Sequence, residues 1–325
     1  MTGQRMPAVA SSALLIWASA SLYAQPSGAG LLNALRKLDE EAARSLSLTL
    51  QVRIPAHPFD LGQGTVSQNC RVSSDSGAHA INCENANPEK PIYRPPESVG
   101  YDRVDYDRND NLILWREVRR FAFSSPALNG VRVQLEMLAV DKAGQISRRA
   151  AHNRLQRHNP GDPNSIYDLP QYLLALGRGF SGYLTEIRSV RRQGALLQVA
   201  AAGSYGPRLS GEWELSLEPA PAYLVRSAKF TKPGSDAAIL STQSLGAAPG
   251  GGFAASGAFR RILKPDVVYE VAVQLQQYSP KPDAALLAEA RKQLEMPLGE
   301  GDETLDYTVT PPRRTFADSK AGQKK

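Results

Sequence analysis

SIYDLPQYLLALGRGF (165–180) runs directly into LTEIRSVRR (184–192), ALLQVAAA (195–202), GEWELSLEP (211–219) and YLVRSAKF (223–230). The first segment carries Leu169, Leu173, Leu176 and Phe180 at helical spacing. Pro170 stands near its start, where a missing amide donor costs least. The next four alternate with period two. In GEWELSLEP, Trp213, Leu215 and Leu217 point one way, and Glu212, Glu214, Ser216 and Glu218 the other, as in a half-buried strand. Glycines and prolines (Gly194, Gly203, Gly206, Pro207, Pro219, Pro221) punctuate the runs and suit hairpin loops rather than crossovers. A helix laid on the apolar face of a curved antiparallel sheet follows.

Working outward gives the same alternation. GLLNALRKLDEEAARSL places Leu31, Leu35, Leu38 and Ala42 on one helical face. It passes into SLSLTLQVRI, where Leu46, Leu48, Leu50, Val52 and Ile54 alternate with polar residues. NLILWREVRRFAF, VRVQLEMLAVD, QISRRAAHNRL and DVVYEVAVQLQQY read as further strands, YDRVDYD as another, and LDYTVTPP as a short last one. PDAALLAEARKQLEMP is a helix opened by Pro282-Asp283, with Leu286, Leu287, Ala290 and Leu294 inward. The fold class is α+β, mainly antiparallel β: one many-stranded curved sheet, a half-barrel, covered by two or three helices.

The rest of the chain divides around this body. Residues 1–24 have the order of a secretory signal: Arg5, the apolar run PAVASSALLIWASASLYA, then polar Gln25-Pro26. The body is read as a single domain over 25–310. Residues 56–100 form an irregular, proline-bearing insert holding Cys70 and Cys83. In an exported chain these flank a turn at Asp75-Ser76-Gly77 and read as a disulfide rather than half of a zinc site with His57 or His79. The Gly/Ala-rich stretch 231–258 reads as a long loop, and 311–325 as a basic disordered tail. That tail holds Arg313, Arg314, Lys320, Lys324 and Lys325 against Asp318, so it carries most of the formal +6, and nucleic acid is not an expected partner.

No catalytic constellation emerges. GRGFSG (Gly177, Gly179, Gly182) has dinucleotide spacing but closes a helix instead of opening one, so it reads as a glycine-rich helix exit. Asp105-Tyr106-Asp107-Arg108-Asn109 starts like a calcium loop but offers Asp110 and Arg116 where a turning glycine and a bidentate acid are required. The basic groups Arg148-Arg149 with Arg154 and Arg157, and Arg188 with Arg191-Arg192, read as solvated strand faces. The same holds for Glu212, Glu214 and Glu218. His152 and His158 read as solvated histidines, and no serine or cysteine stands in a recognised nucleophile motif. No metal site and no cofactor is expected.

A leader, an amphipathic helix entering an alternating strand, a many-stranded antiparallel sheet and a crossing helix resemble the LolA/LolB-like periplasmic lipoprotein-carrier fold. LGRGFSGYLTEIRSV with GEWELSLEP and YLVRSAKF also resembles uncharacterised exported proteins of planctomycete type. The resemblance implies a periplasmic or secreted, non-enzymatic protein holding an apolar or acyl-chain ligand in its concave sheet, with a lipid or lipidated protein as partner. On that reading Trp213, Leu215, Leu217, Leu173 and Leu176 line the ligand site. The alternative is an envelope interaction or structural module, with another envelope protein as partner, whose sheet is filled by its own helices.

Overall fold

The computed structural model describes residues 26–317, apart from 56–64, 87–104, 107–108, 110, 160–168, 206–208, 220–221, 236, 247–251 and 265–266. The leader, much of the 56–100 insert and the end of the basic tail therefore lie outside the described residues, as do Asp107, Arg108 and Asp110 of the calcium-loop stretch.

Among the described residues, sixteen strands form one sheet. In chain order they are β1 Ser45–Pro55, β2 Thr65–Asp75, β3 Ala78–Asn85, β4 Asp105–Tyr106, β5 Leu112–Ser124, β6 Asn129–Val140, β7 Ile146–Arg157, β8 Leu184–Gln193, β9 Leu196–Ser204, β10 Ser210–Glu218, β11 Leu224–Thr231, β12 Leu240–Leu245, β13 Ser256–Lys264, β14 Val267–Ser279, β15 Glu303–Asp306 and β16 Arg313–Phe316. Three helices accompany them: α1 Gly28–Arg44, α2 Leu169–Ala175 and α3 Ala284–Glu295. The spatial order is β16-β15-β7-β6-β5-β3-β2-β1-β14-β13-β12-β11-β10-β9-β8, with β4 beside β5. Neighbours are antiparallel except β15, which lies parallel to β7. This is the expected half-barrel.

Two hydrophobic faces result, because successive side chains of a strand point to opposite sides. On β3, Ile81 and Cys83 join the main core beneath α1 and α2, whereas Ala80 joins a separate cluster with Phe121, Phe123, Leu155 and the α3 residues Leu286, Ala290 and Leu294. The third helix thus packs on the outer face, and only two of the three lie in the concavity. Asp283 caps α3, accepting from the Leu286 amide at 3.0 Å. Arg132 closes its other end, donating from one nitrogen to the carbonyls of Gln293 and Met296 at 2.9 Å.

Several boundaries differ from the sequence reading. The stretch 231–258 is not one loop: β12 lies inside it and β13 begins at Ser256. Within 56–100, β2 and β3 form a regular hairpin whose turn passes through Ser76 and Gly77, and Cys70 sits directly opposite Cys83. The two cysteines are joined as a disulfide. Arg313–Phe316, at the head of the supposed tail, is β16. α2 is shorter than its apolar spacing suggests, because the chain leaves the helix at Gly177. There the Arg178 amide reaches the Leu173 carbonyl at 2.8 Å and the Gly177 amide reaches Leu174 at 3.1 Å, with Gly177 at φ +82°. GRGFSG is thus a helix exit.

Candidate functional site: the concavity beneath the helices

The concave face from β8 through β14 to β1 is mostly apolar, with Thr242 and Ser244 of β12 as buried polar exceptions. Trp213, Leu215 and Leu217 stand side by side on β10, with at most 2% of their surface exposed. Trp213 is enclosed by Phe230 at 5.1 Å between ring centres, by Phe180 edge-on at 5.9 Å and by Tyr183 at 6.1 Å. Phe180 and Tyr183 belong to the 3-10 turn Phe180–Tyr183 that follows α2. Gly203, opposite the indole, makes the fit: a methyl there would lie 3.0 Å from Trp213 Cδ1. The same packing buries the Tyr183 phenol and, with Tyr205 alongside, pushes its pKa up to about 12.

Leu176 is fully buried as well, whereas Leu173 is half-buried. The five residues expected to line a ligand site thus share one interior. Four are closed off by the chain itself, and Leu173 alone of the five borders open space. That space is a gap of about 40 Å³ beneath α1, walled by Ala42, Ala43, Leu46, Leu169, Leu173 and Phe253, with Asp39, Ser74, His79, Arg178 and Gly179 completing it. It is about the size of one water's share of the liquid, and far short of the several hundred cubic ångströms of a small-molecule site.

α1 spans the mouth of the concavity. It starts at Ser27, whose Oγ accepts from the Gly30 amide at 3.1 Å, and Gly28 lies so close to the Ile187 carbonyl on β8 that no side chain fits. Leu31, Leu32 and Leu35 are its buried residues. Asp39 then fastens it to the segment after α2: Oδ1 accepts from the Gly179 amide and Oδ2 from the Ser181 amide, both at 3.0 Å. Gly179 sits at φ +81°, which turns these amides toward one carboxylate. The stretch that resembles a phosphate cradle holds an acid of the same chain, through the Gly179 and Ser181 amides. Arg178, between Gly177 and Gly179, is buried, donating to the carbonyls of Gly252 at 2.6 Å and Ala222 at 2.8 Å. On the sheet below, Ser74 Oγ and His79 Nδ1 lie 2.7 Å apart.

Asp39, Arg178, Ser74 and His79 were not anticipated as a group, although two signals exist. Asp39 stands four residues after Leu35, on the edge of the apolar stripe of α1. His79 shares the parity of Ile81 and Cys83 and so had to point inward.

The other polar groups fall elsewhere. Arg188 is exposed and pairs with Glu212 at 2.8 Å, and Arg226 pairs with Glu218, which makes this outer face solvated as read. Arg154 departs from that reading. It is 6% exposed, faces inward opposite Val133, and is paired with Glu303 of β15, which Arg314 also holds at 2.7 Å. A broad polar trough of about 450 Å³ crosses the outer face, lined among others by Gln198, Glu214, Ser216, Lys229 and Arg260. It offers nothing to an apolar chain.

No protein-family model matches this sequence, and no curated protein does. Solved structures do. An outer membrane lipoprotein-sorting protein domain from Vibrio parahaemolyticus is similar over 80% of this chain and 97% of its own, at TM-score 0.40 and 8% identity. A LolA superfamily protein from Nitrosomonas europaea covers 76% and 91% at 0.36 and 10%. A DUF1329 family protein from Desulfovibrio piger covers 78% and 91% at 0.38 and 8%. The LolA-type resemblance read from the sequence thus recurs among solved structures. At these TM-scores it lends no weight to a function.

Proposed function

We propose that the chain is an exported, non-enzymatic binding protein that takes an apolar or acyl-chain ligand between its concave sheet and its helices, with α1 as a removable cover. Export rests on the leader-like sequence and on the Cys70–Cys83 disulfide, which suits an oxidising compartment. The observation that carries the binding reading is how lightly α1 is held. It buries three leucines against the concavity, leaves a gap beneath its C-terminal half, and is latched through the Asp39 carboxylate and, at its last residue, through the Arg44 carbonyl that accepts from the Ser76 amide.

Burying three leucines stabilises by on the order of 5–9 kcal/mol. A twelve-carbon acyl chain, at about 0.8 kcal/mol per methylene, would offset that by burying itself in the same place. A small gap under a closed cover and a larger site under a displaced one are compatible. The second reading, an envelope module with a self-filled core, is favoured by the complete enclosure of Trp213.

Titration with a fluorescent dodecanoyl probe separates them. Saturable binding is expected, tightened several-fold in Asp39→Ala because less of the binding energy goes into releasing α1. If neither folded protein binds the probe, the packed-module reading takes over.

A further inference from the structure

We infer that opening of α1 is coupled to uptake of a proton at the His79 imidazole, so that the ligand-accepting state gains ground as the pH falls. This rests on α1 being a removable cover, and adds to it the signal that moves it.

The geometry is that of a partly buried histidine beside the cover. His79 lies on β3 directly across from Ser74 of β2, and both face the gap under α1. Ala42 and Leu46 press on that gap from α1 and the strand it enters, Leu169 and Leu173 from α2, and Phe253 from the loop before β13. Two charged groups share the space. The Arg178 guanidinium comes from the segment after α2, and the Asp39 carboxylate from α1. Asp39 is already committed, each oxygen accepting one amide. Ser74 can accept from His79 or donate to it, so it offers hydrogen bonding to either protonation state but no counter-charge. A cation at His79 would thus be desolvated, while the Arg178 and Asp39 charges that share the space are of opposite sign and offset each other.

Burial accordingly holds His79 below its ordinary 6.5. The sign of the linkage follows. Well above pH 6.5 the imidazole is neutral whether α1 is open or closed, and opening does not depend on pH. Below 6.5 the freed imidazole of the open state binds a proton more readily than the partly buried one of the closed state. The open-to-closed ratio therefore rises as pH falls, by at most about tenfold per unit for one proton, until the lower closed-state value is reached. Among the described residues, His152 is the other inward histidine held low by burial rather than solvated as its sequence context suggests; it lies on β7, paired with Leu135 of β6 and close to Asp302, away from α1.

The test uses the full disulfide-intact chain with spin labels on Lys37→Cys and Arg192→Cys, both at exposed positions on α1 and β8. Between pH 7.5 and 5.0, pulsed dipolar spectroscopy should show a growing long-distance population. His79→Gln should flatten that dependence and His152→Gln should keep it. A distance distribution that lengthens with dodecanoate but ignores pH would overturn the inference while leaving the cover intact. One that never lengthens, with dodecanoate or acid, would overturn both. If His79→Gln does not fold, NMR titration of the His79 ring in the closed wild-type protein decides: a value at or above 6.5 rejects the coupling.

Discussion

At the scale of single residues, Gly177 and Trp213 show how little slack the concavity has. A methyl on Gly177 would sit 2.6 Å from the Val225 carbonyl oxygen in a backbone conformation that L-residues avoid. Gly177→Ala should therefore destabilise by more than about 1 kcal/mol, read as a lower denaturant midpoint at unchanged slope. Trp213→Ala should cost more, about 3–5 kcal/mol, since the surrounding rings cannot collapse into the space. A loss below 1 kcal/mol would mean that the enclosure seen here is not kept in solution. That Trp213 points inward was legible from strict alternation over 212–218. What closes over it was not, because Phe180 and Tyr183 reach it only after the turn at Gly179, and period counting does not register a turn.

At the scale of elements, the sequence was most readable where one period runs long. β1, β10 and β14 keep the faces that alternation assigns them. β12 and β13 were lost because Gly, Ala and Ser around 234–257 imitate a loop. One such residue has a packing reason: Gly257 on β13 lies against the Ala175 carbonyl, so the end of α2 can press on the sheet. The β2–β3 hairpin carries a testable link. Tyr172 of α2 lies with its hydroxyl 4.0 and 3.9 Å from the two disulfide sulfurs. Removing the bridge by Cys70→Ala/Cys83→Ala should destabilise the chain by about 3 kcal/mol. Hydrogen exchange should show α2 loosening more than α3, which sits on the other face. Equal loosening of both helices would contradict this.

At the scale of the whole molecule, the last pair of strands is fastened mainly by charge. Glu303 is fully buried between Arg154 and Arg314, and Asp302 accepts the Asn153 amide at 2.7 Å. Glu303→Gln leaves the buried Arg154 without its counter-charge, and a loss of about 3–5 kcal/mol is expected in thermal or urea unfolding. A change within 0.5 kcal/mol would show that water reaches this site. Charge of this kind was illegible in the sequence, since Arg154 reads as one more polar position on a strand. Only the parallel pairing of β15 with β7, 149 residues apart, brings the acid to it.

The place of β1 in the sheet sets a schedule for its assembly. Its neighbours are β2, next in sequence, and β14, which is made more than two hundred residues later, with Ser47 opposite Ser279. On one side, β2, β3, β5, β6 and β7 form a run of antiparallel neighbours in chain order. On the other, β8 through β14 form a second, each strand beside the one before it. Each run can grow from local contacts as the chain emerges, but the seam between β1 and β14 has to wait for β14. Until then the inward edge of β1 is a ribosome-side liability, a long apolar strand with one free flank. Pulse-labelled exchange during refolding should find the Ser47–Arg53 amides that bond to β14 protected last, and a chaperone that shields strand edges should raise the yield most in that interval.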